Sequence, residues 1–200
     1  MQSQPWCGLC RIRVDDLDKT MIPAGYMYKN IVAKPDWIKS PVVKEIYSIS
    51  NCTSHNFADF MQFWRNNGFW FYNSQDIILE IAKENKIDLT KSTAIYYEVF
   101  NQQFNEDSKS WENYKPDTDF ETNVSTPKNK LLLGYDVVTF SVQTCPECSP
   151  LSCCGLADEL AVNNYCLFDS FNTAKTSIEN GSFTNSEAGP FRIFAVYKVN

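Results

Sequence analysis

The amino-acid sequence predicts an α+β fold: a single domain over residues 1–200, with a mixed or mainly antiparallel sheet of about seven strands and about four helices. Three observations predict it. Segments of period-2 alternation and segments of helical spacing follow one another in irregular order, unlike the regular winding of a parallel β-α-β sheet. Of 200 residues, 44% are hydrophobic and 21% charged, a balance that lets a chain of this length bury a core. Two Cys-x-x-Cys pairs, Cys7/Cys10 and Cys145/Cys148, stand near opposite ends and would tie the amino terminus to a late turn. No internal repeat stands out.

Residues 11–14, Arg-Ile-Arg-Val, read as a short strand leaving the first cysteine turn. Pro23-Ala24-Gly25 reads as a turn, and residues 26–33 and 42–49, rich in β-branched and aromatic types, as strands. Ser54 is a good N-cap for a helix carrying Phe57, Phe60, Met61 and Trp64 on one face, with Gly68 as its stop. Residues 69–72 read as a short aromatic strand. Ser74 caps a second helix with Ile77, Ile78, Ile81 and Ala82 on one side. Residues 93–100 form a strand with Ile95, Tyr97 and Val99 facing one way. Residues 131–142, 165–168 and 191–199 complete the strands. A short helix falls at 155–160, and a helix capped by Ser170 carries Phe171, Ala174 and Ile178 and stops at Asn180-Gly181.

Residues 101–130 are polar, carry two prolines and keep no period. They read as a flexible acidic insertion, because a loop of that length in a compact domain is either functional or disordered. Six of the chain's acids and only two lysines lie between Glu106 and Glu121, within a net charge of −6. Among these acids stand Trp111 and Tyr114. Acids steer a basic partner in and aromatic rings anchor it, so Trp111, Tyr114, Glu112, Asp117 and Asp119 are the expected partner-binding residues. The same acidity argues against general binding to phosphate backbones.

The cysteines admit several chemistries. A Cys-x-x-Cys turn puts two thiolates on one side of a tetrahedral ion, and two such turns complete a structural zinc site. Cys7, Cys10, Cys145 and Cys148 are therefore the expected ligands of a zinc clamp. A rival set draws Cys153 and Cys154 together with Cys145 and Cys148, against the tendency of adjacent residues in an extended chain to point apart. Cys166, inside an apolar run, reads as a buried thiol behaving as a small hydrophobe.

Trp6-Cys7-Gly8-Leu9-Cys10 also resembles the redox turn of the thioredoxin family, which implies a dithiol enzyme. Leu9 stands where that family has proline, and the following residues read as strand where the family has the helix that lowers the attacking thiol's pKa. The sole histidine, His55, lies three residues after Cys52 and offers a nucleophile pair as the other enzymatic reading. No phosphate loop or nucleophile elbow occurs. The N-terminus shows no charged-then-apolar leader and no stretch is long enough to span a bilayer, so a cytoplasmic location is expected. The expected function is non-catalytic: an acidic, inhibitor or immunity-type protein that binds a basic partner protein. The thiol enzyme is the alternative.

Overall fold

The computed structural model describes residues 21–50, 67, 69–114, 123–140 and 148–199. The architecture is α+β with antiparallel sheets. The principal sheet has five strands: β1 (Met21–Lys29), β4 (Thr93–Asn105), β5 (Ser110–Asn113), β6 (Lys130–Thr139) and β7 (Phe191–Val199). Two residues each from β2 (Val32–Ala33) and β3 (Glu45–Ile46) make a separate ribbon. The described helices are α1 (Gln75–Asn85), α2 (Pro150–Cys153) and α3 (Phe171–Glu179), with a 3-10 turn at Leu156–Asp158. The strand expected at residues 11–14 and the helix expected after Ser54 lie outside the described residues.

The strand order is β1-β4-β7-β6, with β5 continuing the β1 side of β4. Gly25 pairs with Tyr97, Gly134 pairs with Val196, and Tyr97 pairs with Val196 across the central strands. This register is palindromic, so a pseudo-two-fold axis passes beside the Tyr97–Val196 pair. One half runs β1, an asparagine-held corner, α1, β4; the other runs β6, an asparagine-held corner, α3, β7. The absence of a repeat inferred from the sequence is thereby corrected.

The corners carry the repeat in detail. Asn67 Nδ2 donates to the Ala24 carbonyl at 2.7 Å, and its Oδ1 accepts the Phe69 and Phe71 amides at 3.1 Å each. Asn163 Nδ2 donates to the Leu133 carbonyl at 2.8 Å, and its Oδ1 accepts the Tyr165 and Leu167 amides at 2.9 and 3.2 Å. Trp70 and Cys166, three residues beyond each asparagine, both sit at φ +63°. Tyr72 then bridges to Tyr26, and Phe168 to Tyr135. Gly25 and Gly134 let each corner approach: a Cβ at Gly25 would lie 2.6 Å from Phe71 Cβ, and one at Gly134 2.7 Å from the Phe168 carbonyl.

These corners explain why residues 69–72 and 165–168 are not strands. The amides of Phe69 and Phe71, and of Tyr165 and Leu167, are taken by an asparagine side chain within the same turn, which competes with ladder formation. Residues 42–49 contribute only Glu45–Ile46 as strand, because Lys44, Glu45 and Tyr47 donate instead to the carbonyls of Asn164 and Tyr165. The expected turn at Pro23-Ala24-Gly25 is a bulge inside β1. Residues 101–113, expected at the start of a loop, continue β4 and fold back as β5, with Phe104 opposite Trp111. The expected helix at 155–160 is the 3-10 turn, α2 having formed earlier behind Pro150.

Register puts Tyr28, Tyr96, Tyr197, Tyr135 and Val137 on one face of the sheet. Both longer helices reach that face, Gln75 bonding Tyr28 Oη at 2.6 Å and the Phe171 ring lying 6.2 Å from that of Tyr135. Ser74 and Ser170 cap them as the sequence predicts, accepting the Ile77 and Thr173 amides. The opposite face carries Met27, Lys29, Tyr97, Phe194, Val196 and Asp136. Phe71 covers it, 4.6 Å from the Tyr97 ring, and Phe140 stacks on Phe194 at 5.9 Å.

Candidate functional site

Three places in the described chain gather reactive or charged groups. The first is the cysteine turn at the end of β6. Thr139 holds it: the Thr139 amide donates to the Cys148 carbonyl at 2.9 Å, and the Cys148 amide donates to Thr139 Oγ1 at 3.1 Å. Pro150 starts α2 at a position where its missing N–H costs nothing. The short helix ends at Cys154, whose amide returns to the Pro150 carbonyl.

Cys153 and Cys154 stand at the helical end of α2 and not in an extended chain, and their thiols have different neighbours. Cys153 Sγ donates to Ser50 Oγ at 3.4 Å. Cys154 turns the other way, where its Sγ, Cys148 Sγ and a Glu187 carboxylate oxygen all lie within 4.8 Å of one another. Burial raises the Cys154 thiol pKa; a hydrogen bond with Cys148 works against that, and the Glu187 charge adds to it. Cys148 is buried, while Cys154 and Glu187 are exposed. This group could hold a metal ion. Of the expected clamp, only Cys148 belongs to it; Cys7, Cys10 and Cys145 lie outside the described residues, as do Cys52 and His55. Cys166 is fully buried and burial raises its thiol pKa far above the usual value, in keeping with a core role.

The second place is the β4–β5 hairpin. Trp111 is half-buried against Phe100 and Phe104, with ring centroids 5.4 and 5.3 Å away, and its indole donates to Glu179 Oε1 at 2.8 Å. Burial alone would raise the Glu179 pKa; the Trp111 indole and Lys175 outweigh it and hold the carboxyl below its ordinary value. Tyr114 lies over the Arg192 guanidinium, 3.2 Å from its ring centroid, with Phe140 on the other side at 3.8 Å. Both rings expected as partner anchors are therefore already engaged within the protein.

Glu112 accepts from Asn105 Nδ2 at 2.7 Å, and Glu106 accepts the Gly189 amide at 2.7 Å. Around them open two adjoining clefts. One, of about 460 Å³, is lined by Glu106, Asp107, Lys109 and Glu179 among others; the second, of about 370 Å³, by Glu106, Asp107 and Glu112. Asp117 and Asp119 lie outside the described residues.

The third place is buried and the sequence reading missed it. Lys29, fully buried, donates to the carbonyls of Ser48, Ile49 and Ser50. Asp136, also fully buried, accepts the Ile49 amide at 2.8 Å and the Ser149 hydroxyl at 2.7 Å. The strap at 48–50 is thus held by a cation from one half of the repeat and an acid from the other. Burial pushes the Asp136 pKa up to about 7, against the pull of the Ile49 and Ser149 bonds and of Lys29. The signal was parity: Lys29 follows Met27, and Asp136 precedes Val138, at the inward period-2 positions of their strands.

Compared with known proteins, the chain matches no family model, no curated protein and no solved structure. No helix among the described residues is long and apolar enough to cross a membrane.

Proposed function

We propose that this is a non-catalytic cytoplasmic protein, of the acidic inhibitor type, which binds a basic partner protein through the β4–β5 hairpin. The observation that carries the reading is the gathering of Glu106, Asp107, Glu112 and Glu179 around two adjoining open clefts, with Lys109 the one basic residue among the described residues that line them. A concave surface with an excess of one sign of charge raises the encounter rate of an oppositely charged protein. Asp117 and Asp119 follow these acids in the sequence and belong to the same proposal. Trp111 and Tyr114 serve here as a packed foundation that holds the acids in place, since each ring already has neighbours on the protein side.

The test replaces Glu106, Asp107 and Glu112 by their amides, with Asp117→Asn and Asp119→Asn in the same protein, and compares capture from host extract at low and high salt. The expected result is an enriched basic protein whose association rate falls about tenfold or more in the variant at low salt. Equal capture by a variant with an unchanged melting temperature sinks the reading. A structural zinc with Cys148 among its ligands belongs to the same proposal, and its support is the position of Cys148 beside other donor atoms.

A further inference from the structure

We infer that Cys148, Cys154 and Glu187 form a zinc-binding site that fastens the α2 turn to the loop between α3 and β7. The inference rests on the thiolate-bound metal of the preceding reading for the presence of an ion, and it assigns the ion a donor set that reading does not contain.

The geometry carries it. Zinc binds thiolate sulfur at about 2.3 Å, so two sulfurs at tetrahedral corners stand about 3.8 Å apart. The three donor atoms here lie within 4.8 Å of one another, so closing on an ion asks for movements of about 1 Å, which the exposed Cys154 and Glu187 side chains can make toward the buried Cys148. The backbone under the donors is fixed. Cys148 is held by two bonds to Thr139 at the end of β6, and Cys154 by its amide bond to the Pro150 carbonyl. The loop bearing Glu187 is held at its far end, where the Pro190 carbonyl accepts the Phe140 amide at 3.1 Å. The site thus joins two segments that are each fastened at the end of β6.

The chemistry selects the ion. Two thiolates favour a borderline-soft cation such as zinc over magnesium or calcium, and zinc also accepts a carboxylate oxygen as a ligand. A divalent ion binds the thiolate and not the thiol, so binding releases protons. Cys154 and Glu187 are exposed, which leaves the fourth position of a tetrahedron open to water or a further donor. Cys153, turned toward Ser50, and Cys166, buried in the corner of the second half, take no part.

The experiment uses the full chain, reduced and stripped with a chelator, titrated with Co²⁺ and then displaced with Zn²⁺. Sulfur-to-cobalt charge-transfer absorption reports the number of thiolates bound. The variants are Cys154→Ser, Glu187→Gln, the double variant Cys7→Ser/Cys10→Ser, and Cys166→Ser as a control, each checked by circular dichroism. The expected result is one bound ion, charge-transfer intensity roughly halved in Cys154→Ser, and affinity lowered at least about tenfold in both Cys154→Ser and Glu187→Gln. The Cys7/Cys10 variant binds as the parent does. If Cys154→Ser and Glu187→Gln bind cobalt like the parent, the inference is overturned. Loss of binding confined to the Cys7/Cys10 variant overturns it in favour of the four-cysteine clamp, and a chain that takes up no ion overturns both.

Discussion

Replacing Asn67 by alanine tests the two-fold construction and the role of the corners at once. The substitution removes three hydrogen bonds, to the Ala24 carbonyl and from the Phe69 and Phe71 amides, all within the buried interior. Each backbone group left without a partner costs about 1–3 kcal/mol, so even with partial relaxation the loss is about 4 kcal/mol. Asn163→Ala removes the equivalent three bonds. Asn67 is only 1% exposed, whereas Asn163 is half-buried, so water can serve the groups freed in the second corner and the loss falls to about 1–2 kcal/mol. Urea unfolding followed by tryptophan fluorescence measures both, and a chain of this size shifts its melting temperature by about 2–4 °C per kcal/mol. Equal losses, a larger loss at Asn163, or a loss below about 1 kcal/mol at Asn67 would refute the reasoning.

Two further outcomes follow from the same structure. Asp136 holds its proton to about 7 in the folded protein but only to about 4 when unfolded. Its stabilising effect is complete below pH 4 and disappears as pH rises through 7, so unfolding free energy should decline from pH 5 to pH 8; Asp136→Asn, which keeps an acceptor for Ile49, should flatten that decline, and a parent profile that rises over the same range would contradict the assignment. Gly134→Ala should cost at least about 2 kcal/mol, because φ is +151° and the new Cβ would meet both the Phe168 carbonyl and Leu167 Cβ inside 3 Å; a melting temperature within error of the parent would show that the corner can move away from β6.

Local signals in the sequence were sound where a side chain speaks only to its own turn. Ser74 and Ser170 marked helix starts because an N-cap needs nothing beyond the next three residues. Thr93 onward and Phe191 onward read as strands because both are dense in β-branched and aromatic residues. The acidic bias of 106–121 was plain from composition. The hairpin of β4 and β5 was hidden because its stabilising pair, Phe104 with Trp111, lies across a polar turn that carries no period.

By itself, then, the sequence determined the α+β class, the caps, the central strands and the charge of the hairpin, all properties summed over neighbouring residues. Only the tertiary structure decided that the chain is a repeat. The aligned stretches 67–74 and 163–170 share just their first asparagine and last serine, the residues whose side chains hold each corner and cap the helix that follows it. Only the tertiary structure, too, set Glu187 beside Cys148 and Cys154, because the α3 and β7 segments must fold back on β6 before a carboxylate from one and thiols from the other can share a site.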